Sequence, residues 1–122
     1  MKVRESAKNY LKTILILQEK LGEVRSVDVA RELGVSKPSV SNAIKKLRSE
    51  GFVDMDSSRS LVLTEDGMKC AASIVERHVV IEKYLTDVLN VDEQTAHSDS
   101  CRLENLISTE AYTKIKESYM EE

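Results

Sequence analysis

The sequence predicts a mainly α-helical protein: an N-terminal winged helix-turn-helix of three helices and a two-stranded wing, followed by a further helical domain. Three observations predict it. Ser26–Leu47, SVDVARELGVSKPSVSNAIKKL, has the apolar spacing and capping residues of two short helices packed crosswise. A turn-rich Asp56-Ser57-Ser58-Arg59 then separates two short β-prone runs. From Thr64 onward, apolar residues recur at helical spacing almost to the end of the chain.

Each element has a local reason. Ser6–Leu21 reads as a helix with Tyr10, Ile14, Leu17 and Leu21 on one stripe, widened by Leu11 and Leu15 and stopped by Gly22. Ser26 is the expected N-cap of the next helix, with Asp28 in the first turn suiting its dipole. Ala30 allows a close helix crossing, Leu33 supplies an inner contact, and Gly34 can take the left-handed conformation that ends the helix. Ser36 can cap the following helix, where Pro38 is tolerated in the first turn because its missing N–H costs nothing there. Val40, Ile44 and Leu47 form the buried stripe of that helix and leave Lys37, Ser39, Ser41, Asn42 and Lys45 facing out. Gly51 ends it. Phe52–Met55 and Leu61–Leu63 are the expected wing strands, with Ser58 and Arg59 at the tip beside a phosphate backbone. Thr64 can cap a long helix to about Leu89, with Ile74, Ile81, Leu85 and Val88 inward. Asn90 is the expected stop. Asp92 then caps a helix through about Ile107, and Ser108 caps a last one from Thr109 towards Met120. The expected domains are residues 1–63 and 64–122.

Composition bounds the function. The chain has 122 residues, no Trp, two cysteines and a formal charge of −3. Two cysteines are too few for a disulfide framework, and no long apolar run or leader pattern occurs, so a cytoplasmic protein is expected. Charge is unevenly spread. Residues 1–68 carry 12 Lys/Arg against 10 Asp/Glu, and residues 69–122 carry 6 against 11. A mildly basic first half suits contact with double-stranded DNA, and an acidic second half can hold cations. Short polar donors and lysines share the exposed face of the second helix of the pair, as a helix in the major groove requires. The apolar stripes of the later helices, among them Leu103, Leu106 and Ile107, exceed what one small core covers, which predicts a homodimer.

Both histidines of the chain lie in patterns suited to a divalent transition metal. His78 and Glu82 are four apart on the long helix. His97, Cys101 and Glu104 share one face of the next helix. Imidazole, carboxylate and thiolate donors brought together from two antiparallel helices would suit such an ion. Taken singly, His78 between Ile74 and Ile81 also reads as a core histidine, and Cys101 as a small buried hydrophobe.

These residues carry a resemblance. The winged helix, LTEDG at Leu63–Gly67, ERHVVIEKYL at Glu76–Leu85 and HSDSCRLENLIS at His97–Ser108 resemble the diphtheria-toxin-repressor family of iron- and manganese-dependent transcriptional repressors. The likeness spans Ser6 to about Lys116, and the length resembles the shorter, two-domain manganese-regulator type. It implies a metal-responsive repressor that binds a pseudo-palindromic operator as a homodimer. The implied cofactor is iron(II) or manganese, with zinc and cobalt as further candidates. His78, Glu82 and His97 match one metal site completely. Cys101 and Glu104 match part of a second, where Asn9 and Asn105 replace stronger ligands and Lys12 stands at a carboxylate position. Ser36, Pro38, Ser39 and Asn42 match the family's DNA-facing positions. The resemblance implies no enzyme, no membrane and no small organic substrate. Two other readings stay open: a winged-helix DNA-binding regulator with structural or no metal, and a protein-binding winged helix without DNA contact. A metalloenzyme built on His78, His97 and Cys101 lacks a nucleophile–base pair to go with them.

Overall fold

A computed structural model of the chain describes residues 5–120; the outermost residues of the two expected domains, 1–4 and 121–122, lie outside it. The element order is α1 (Glu5–Leu21), α2 (Ser26–Leu33), α3 (Lys37–Ser49), β1 (Val53–Met55), β2 (Leu61–Leu63), α4 (Glu65–Lys83), α5 (Glu93–Leu106) and α6 (Thr109–Met120), with a π-helical segment at Tyr84–Val88. The chain divides into two compact units, the first ending at Ala72 and the second beginning at Ser73.

The first unit is a three-helix core closed by an antiparallel hairpin. Val53 pairs with Leu63, Asp54 with Val62 and Met55 with Leu61. Leu11, Ile14 and Leu17 of α1, Val29 and Ala30 of α2, and Val40, Ile44 and Leu47 of α3 are buried together with Val53, Leu61 and Leu63. Leu61 N–H donates to the Val24 carbonyl at 2.7 Å, which ties the second wing strand to the α1–α2 connection. Local chemistry sets the helix ends. Gly34 closes α2 at φ 67°, a left-handed conformation that a Cβ disfavours. Ser36 Oγ accepts from Ser39 N–H at 3.2 Å at the start of α3, and Pro38 lies in that first turn.

Three expectations need correction here. Leu21 is 56 % exposed rather than part of the inner stripe, because α1 outruns the core it packs on and Gly22 ends it at once. Leu11 takes that place instead, fully buried. Arg25, not Ser26, is the N-cap of α2; its backbone N–H donates to the Asp28 carboxylate at 2.9 Å, so Asp28 serves as a hydrogen-bond acceptor as well as a dipole partner. The first wing strand begins at Val53, since Phe52 spends its N–H on the Leu47 carbonyl and its carbonyl on Thr64 N–H.

Thr64 Oγ1 accepts from Gly67 N–H at 3.1 Å and donates to the Gly51 carbonyl at 2.6 Å, which fixes where α4 leaves the hairpin. At Gly67 the backbones touch: a Cβ there would run into the Phe52 carbonyl oxygen. Gly67→Ala trades a helix-propensity gain of about 1 kcal/mol against an overpacking cost of about 1–3 kcal/mol. The clash is with backbone, so the net expectation is a loss of up to about 2 kcal/mol, read as a lower denaturant midpoint. An unchanged or raised midpoint would show that the contact yields freely.

The second unit packs the latter part of α4 against α5 and α6. Ile74, Ile81, Ala96 and Tyr112 are its buried apolar residues. Arg77 donates to the Ile107 carbonyl and to Thr109 Oγ1, both at 3.0 Å, and lies over the Tyr112 ring. Its charge thereby satisfies carbonyl oxygen at the end of α5 while holding α6. Lys116 pairs with Glu76 at 2.7 Å. The long helix does not run to Leu89 as a regular α-helix. It ends at Lys83 and widens through Tyr84–Val88, where Leu89 N–H reaches back five residues to the Tyr84 carbonyl. Thr86 Oγ1 bonds the Glu82 and Lys83 carbonyls, a side-chain competition that favours such widening. Asn90 then reverses the chain at φ 56°, and Asp92 caps α5.

Candidate metal centre and nucleic-acid interface

Five titratable side chains from α4 and α5 converge in the second unit. His78 and Glu82 stand one turn apart on α4; His97, Cys101 and Glu104 form a stripe on α5. His78 Nδ1 is 2.9 Å from Glu104 Oε2, and His78 Nε2 is 3.4 Å from Glu82 Oε2. His97 Nδ1 is 2.9 Å from Glu82 Oε1. Cys101 Sγ lies 3.9 Å from His78 Nδ1 and 3.8 Å from His97 Nε2. The imidazoles meet edge to face with centroids 5.0 Å apart. One nitrogen from each of His78 and His97, with Cys101 Sγ, lie within 4.8 Å of one another. Two neutral nitrogens, a thiolate and nearby carboxylates are a donor set that fits a divalent ion, so the chemistry of these residues is consistent with one. The cluster is graded from inside to outside. The Glu104 side chain is 1 % exposed and that of His78 13 %, while His97 and Cys101 are open to solvent.

Sequence spacing sorted these residues into two stripes, His78/Glu82 and His97/Cys101/Glu104, and the family resemblance regrouped them as His78/Glu82/His97 and Cys101/Glu104. The structure brings all five into one cluster, because α5 runs back along α4 and turns its Cys101 face onto the histidines. Of the two amides grouped with the second set, Asn105 lies half-buried on α5 and Asn9 lies exposed on α1 in the first unit. The i, i+4 spacing accounts for the contact of Glu82 with His78, whereas its contact with His97 joins residues that only the family resemblance had grouped.

The exposed face of α3 holds the nucleic-acid candidates. Ser36, Lys37, Pro38, Ser39, Ser41, Asn42 and Lys45 are all exposed, over a stripe of Val40, Ile44 and Leu47 that is buried. Ser36 and Ser39 hydroxyls are 2.8 Å apart across the capped first turn, so the helix start is ordered before any ligand arrives. The wing tip is ordered too, by a residue the sequence reading left as an ordinary turn former. Asp56 Oδ1 accepts from Ser58 N–H at 2.9 Å, Ser58 Oγ at 2.7 Å and Ser60 N–H at 2.9 Å. This turn holds Arg59 at φ 65° with its side chain exposed.

The Ser58 hydroxyl and the Ser60 and Ser58 amides hold the Asp56 carboxyl below its usual range. A depressed folded value contributes order that is complete above the ordinary Asp range and is lost as pH falls through the lowered value. Ser58 and Ser60 amide resonances are expected to shift together with Asp56 in an acid titration. Independent titrations would remove Asp56 as organiser of the wing.

Comparison with known proteins assigns the two parts of the chain. Residues 2–61 match the family model "Iron dependent repressor, N-terminal DNA binding domain". Residues 64–121 match "Iron dependent repressor, metal binding and dimerisation domain". The chain is 39 % identical over 107 residues to the transcriptional regulator MntR of Salmonella typhimurium, covering 88 % of this chain and 68 % of that protein. It is 30 % identical over 111 residues to the diphtheria toxin repressor of Corynebacterium diphtheriae, covering 91 % of this chain and 49 % of that one. A solved manganese-dependent transcriptional repressor in complex with manganese superposes with a TM-score of 0.83 at 30 % identity, covering 92 % of this chain and 51 % of that chain. The present chain thus spans about half the length of the latter two. None of the described helices is long and apolar enough to cross a membrane. With a DNA-binding domain in its first half, a metal-binding and dimerisation domain in its second, and relatives that are repressors rather than enzymes, the chain belongs to the iron dependent repressor family of metal-dependent transcriptional regulators.

Proposed function

We propose that this chain is a divalent-metal-responsive repressor that binds a two-fold related DNA site as a homodimer in the cytoplasm, with metal held by the cluster of His78, Glu82, His97, Cys101 and Glu104. The observation that carries the reading is the convergence of both histidines and Cys101 within the half of the chain matched to a metal-binding domain. Asn9 and Asn105 offer amide oxygens, which are poorer ligands than imidazole or carboxylate, and are not assigned to the ion.

When bound, the ion supplies a positive cross-link between α4 and α5. The rest is the work of the chain's own residues. Glu82 and Glu104 hold the two imidazoles at 2.9 Å, so that the donors are oriented in advance. The first turn of α3 presents the Ser36 and Ser39 hydroxyls to a phosphate, while Lys37, Lys45 and the wing residues Ser58 and Arg59 add charge and donors along the backbone. Ser41 and Asn42 face base edges. Pro38 shapes the N-terminal turn. Metal can favour the DNA-binding arrangement only through a higher affinity for it than for the alternative. The dimer is assigned to the helices after Thr64, where Leu89, Leu103 and Leu106 are 53 %, 37 % and 63 % exposed in the single chain.

The test is DNA binding by the purified protein with and without chelator, on duplexes selected in vitro from random sequence, with metal content measured in the same samples. Chelation is expected to weaken binding at least about tenfold, 1.4 kcal/mol. Light scattering at micromolar concentration is expected to give the dimer mass. DNA affinity indifferent to chelator would favour a structural or absent metal, and a monomeric mass would sink the two-fold site.

A further inference from the structure

The wing tip carries an acidic side chain where contact with DNA calls for positive charge. Asp56 and Arg59 are both exposed there. The Asp56 carboxylate is engaged inside the turn: Oδ1 accepts from Ser58 N–H at 2.9 Å, Ser58 Oγ at 2.7 Å and Ser60 N–H at 2.9 Å. Backbone bonds close the same loop, with Asp56 N–H on the Ser60 carbonyl and Arg59 N–H on the Asp56 carbonyl, both at 3.0 Å. Ser60 is 3 % exposed, and the next residue, Leu61, is tied to Val24 and Gln18. Arg59 is thereby held at φ 65°, a left-handed conformation that a residue with a long side chain rarely takes. We infer that Asp56 is a positioning residue for DNA binding: it holds the wing tip in the conformation that presents Arg59 to phosphate, so that an acidic side chain at the interface strengthens binding. The inference rests on the DNA-binding reading above and deepens it.

Two effects of the carboxylate oppose each other. Its charge repels a phosphate backbone, so electrostatics alone predicts tighter binding when it is removed. Its hydrogen bonds act the other way. Without Oδ1, the Ser58 and Ser60 N–H groups lose their acceptor, and at buried Ser60 water does not readily replace it. Arg59 is then released to the ordinary backbone regions, and binding has to order the tip again at an entropic cost. The bond from Ser58 Oγ has the 2.7 Å length of a charge-assisted contact, which accounts for a carboxylate at a position where an Asn amide oxygen also suits the turn. Asn therefore separates the two effects. It keeps the acceptor and drops the charge, whereas Ala drops both.

The test measures affinity of the full chain for a duplex selected in vitro, in excess manganese and in parallel in excess zinc. Asp56→Ala is expected to weaken binding about threefold to tenfold per wing. Asp56→Asn is expected to match or exceed the unaltered chain. Arg59→Ala should lose affinity and lower the slope of log affinity against log salt by about one per wing. Adding Asp56→Ala to Arg59→Ala should bring no further loss, because the positioned group is already gone, whereas a residue that only stabilises the domain would give additive losses. Amide hydrogen exchange at Ser58 and Ser60 should quicken in Asp56→Ala and not in Asp56→Asn, with unfolding midpoints establishing that each variant is folded. Tighter or unchanged binding by Asp56→Ala, no rescue by Asp56→Asn, full affinity in Arg59→Ala, or additive losses in the double variant would overturn the positioning role while leaving a DNA-binding repressor intact. An unaltered chain that binds no duplex with either metal would overturn both.

Discussion

His78→Ala is expected to abolish tight metal binding, lowering affinity by more than about 100-fold, beyond what the loss of an orienting residue alone produces. His78 is the hub of the cluster, within 2.9 Å of Glu104, 3.4 Å of Glu82 and 3.9 Å of Cys101. Its removal takes away one of the three groups whose ligand atoms lie within 4.8 Å of one another and leaves the cluster a single imidazole. The same substitution deprives the buried Glu104 carboxylate of one partner, and metal-free stability is expected to fall by about 1–3 kcal/mol. Calorimetric titration with zinc, cobalt, iron(II) and manganese measures the first effect, and denaturant unfolding in chelator the second. If the chelator-sensitive part of DNA affinity disappears together with metal binding while the metal-independent part remains, the cluster is the sensor. Metal affinity within about threefold of the unaltered chain would dismiss His78 as a ligand.

Asn42→Ala is expected to cost about 1–3 kcal/mol on the selected DNA site and little on random duplex, since an Asn amide pairs bidentately with an adenine edge. Lys45→Ala is expected to weaken all sequences alike and to reduce the slope of log affinity against log salt by about one per subunit contact. The difference follows from position. Both side chains are exposed on α3, but neutral Asn42 can discriminate only through directed hydrogen bonds, while Lys45 acts as a point charge on phosphate. Neither side chain contributes to the buried stripe, so unfolding midpoints are expected to stay put. Equal losses on selected and random DNA for Asn42→Ala would reject its role in reading bases.

Most of the fold was legible because its signals are local. Caps at Ser36, Thr64, Asp92 and Ser108 and left-handed stops at Gly34 and Gly51 act within one turn of chain, and all of them function as read. Errors arose where distant packing outweighs periodicity. Leu21 continues the stripe of α1 yet finds nothing to pack on, and Thr86 turns a regular helix into a π segment through bonds no apolar pattern reports.

The candidate site divides in the same way. Sequence alone determined the family, the winged helix, the helix face that carries Asn42 and the lysines, and the five residue types able to hold a metal. Each of these depends on neighbours three or four positions apart on one element. Tertiary structure decided how those five residues combine. Spacing along α4 and α5 defines two stripes but not how deeply or at what rotation one helix packs on the other. Packing set that rotation, placing Cys101 against both histidines, burying Glu104 beneath His78 and leaving Glu82 to bridge the far nitrogens.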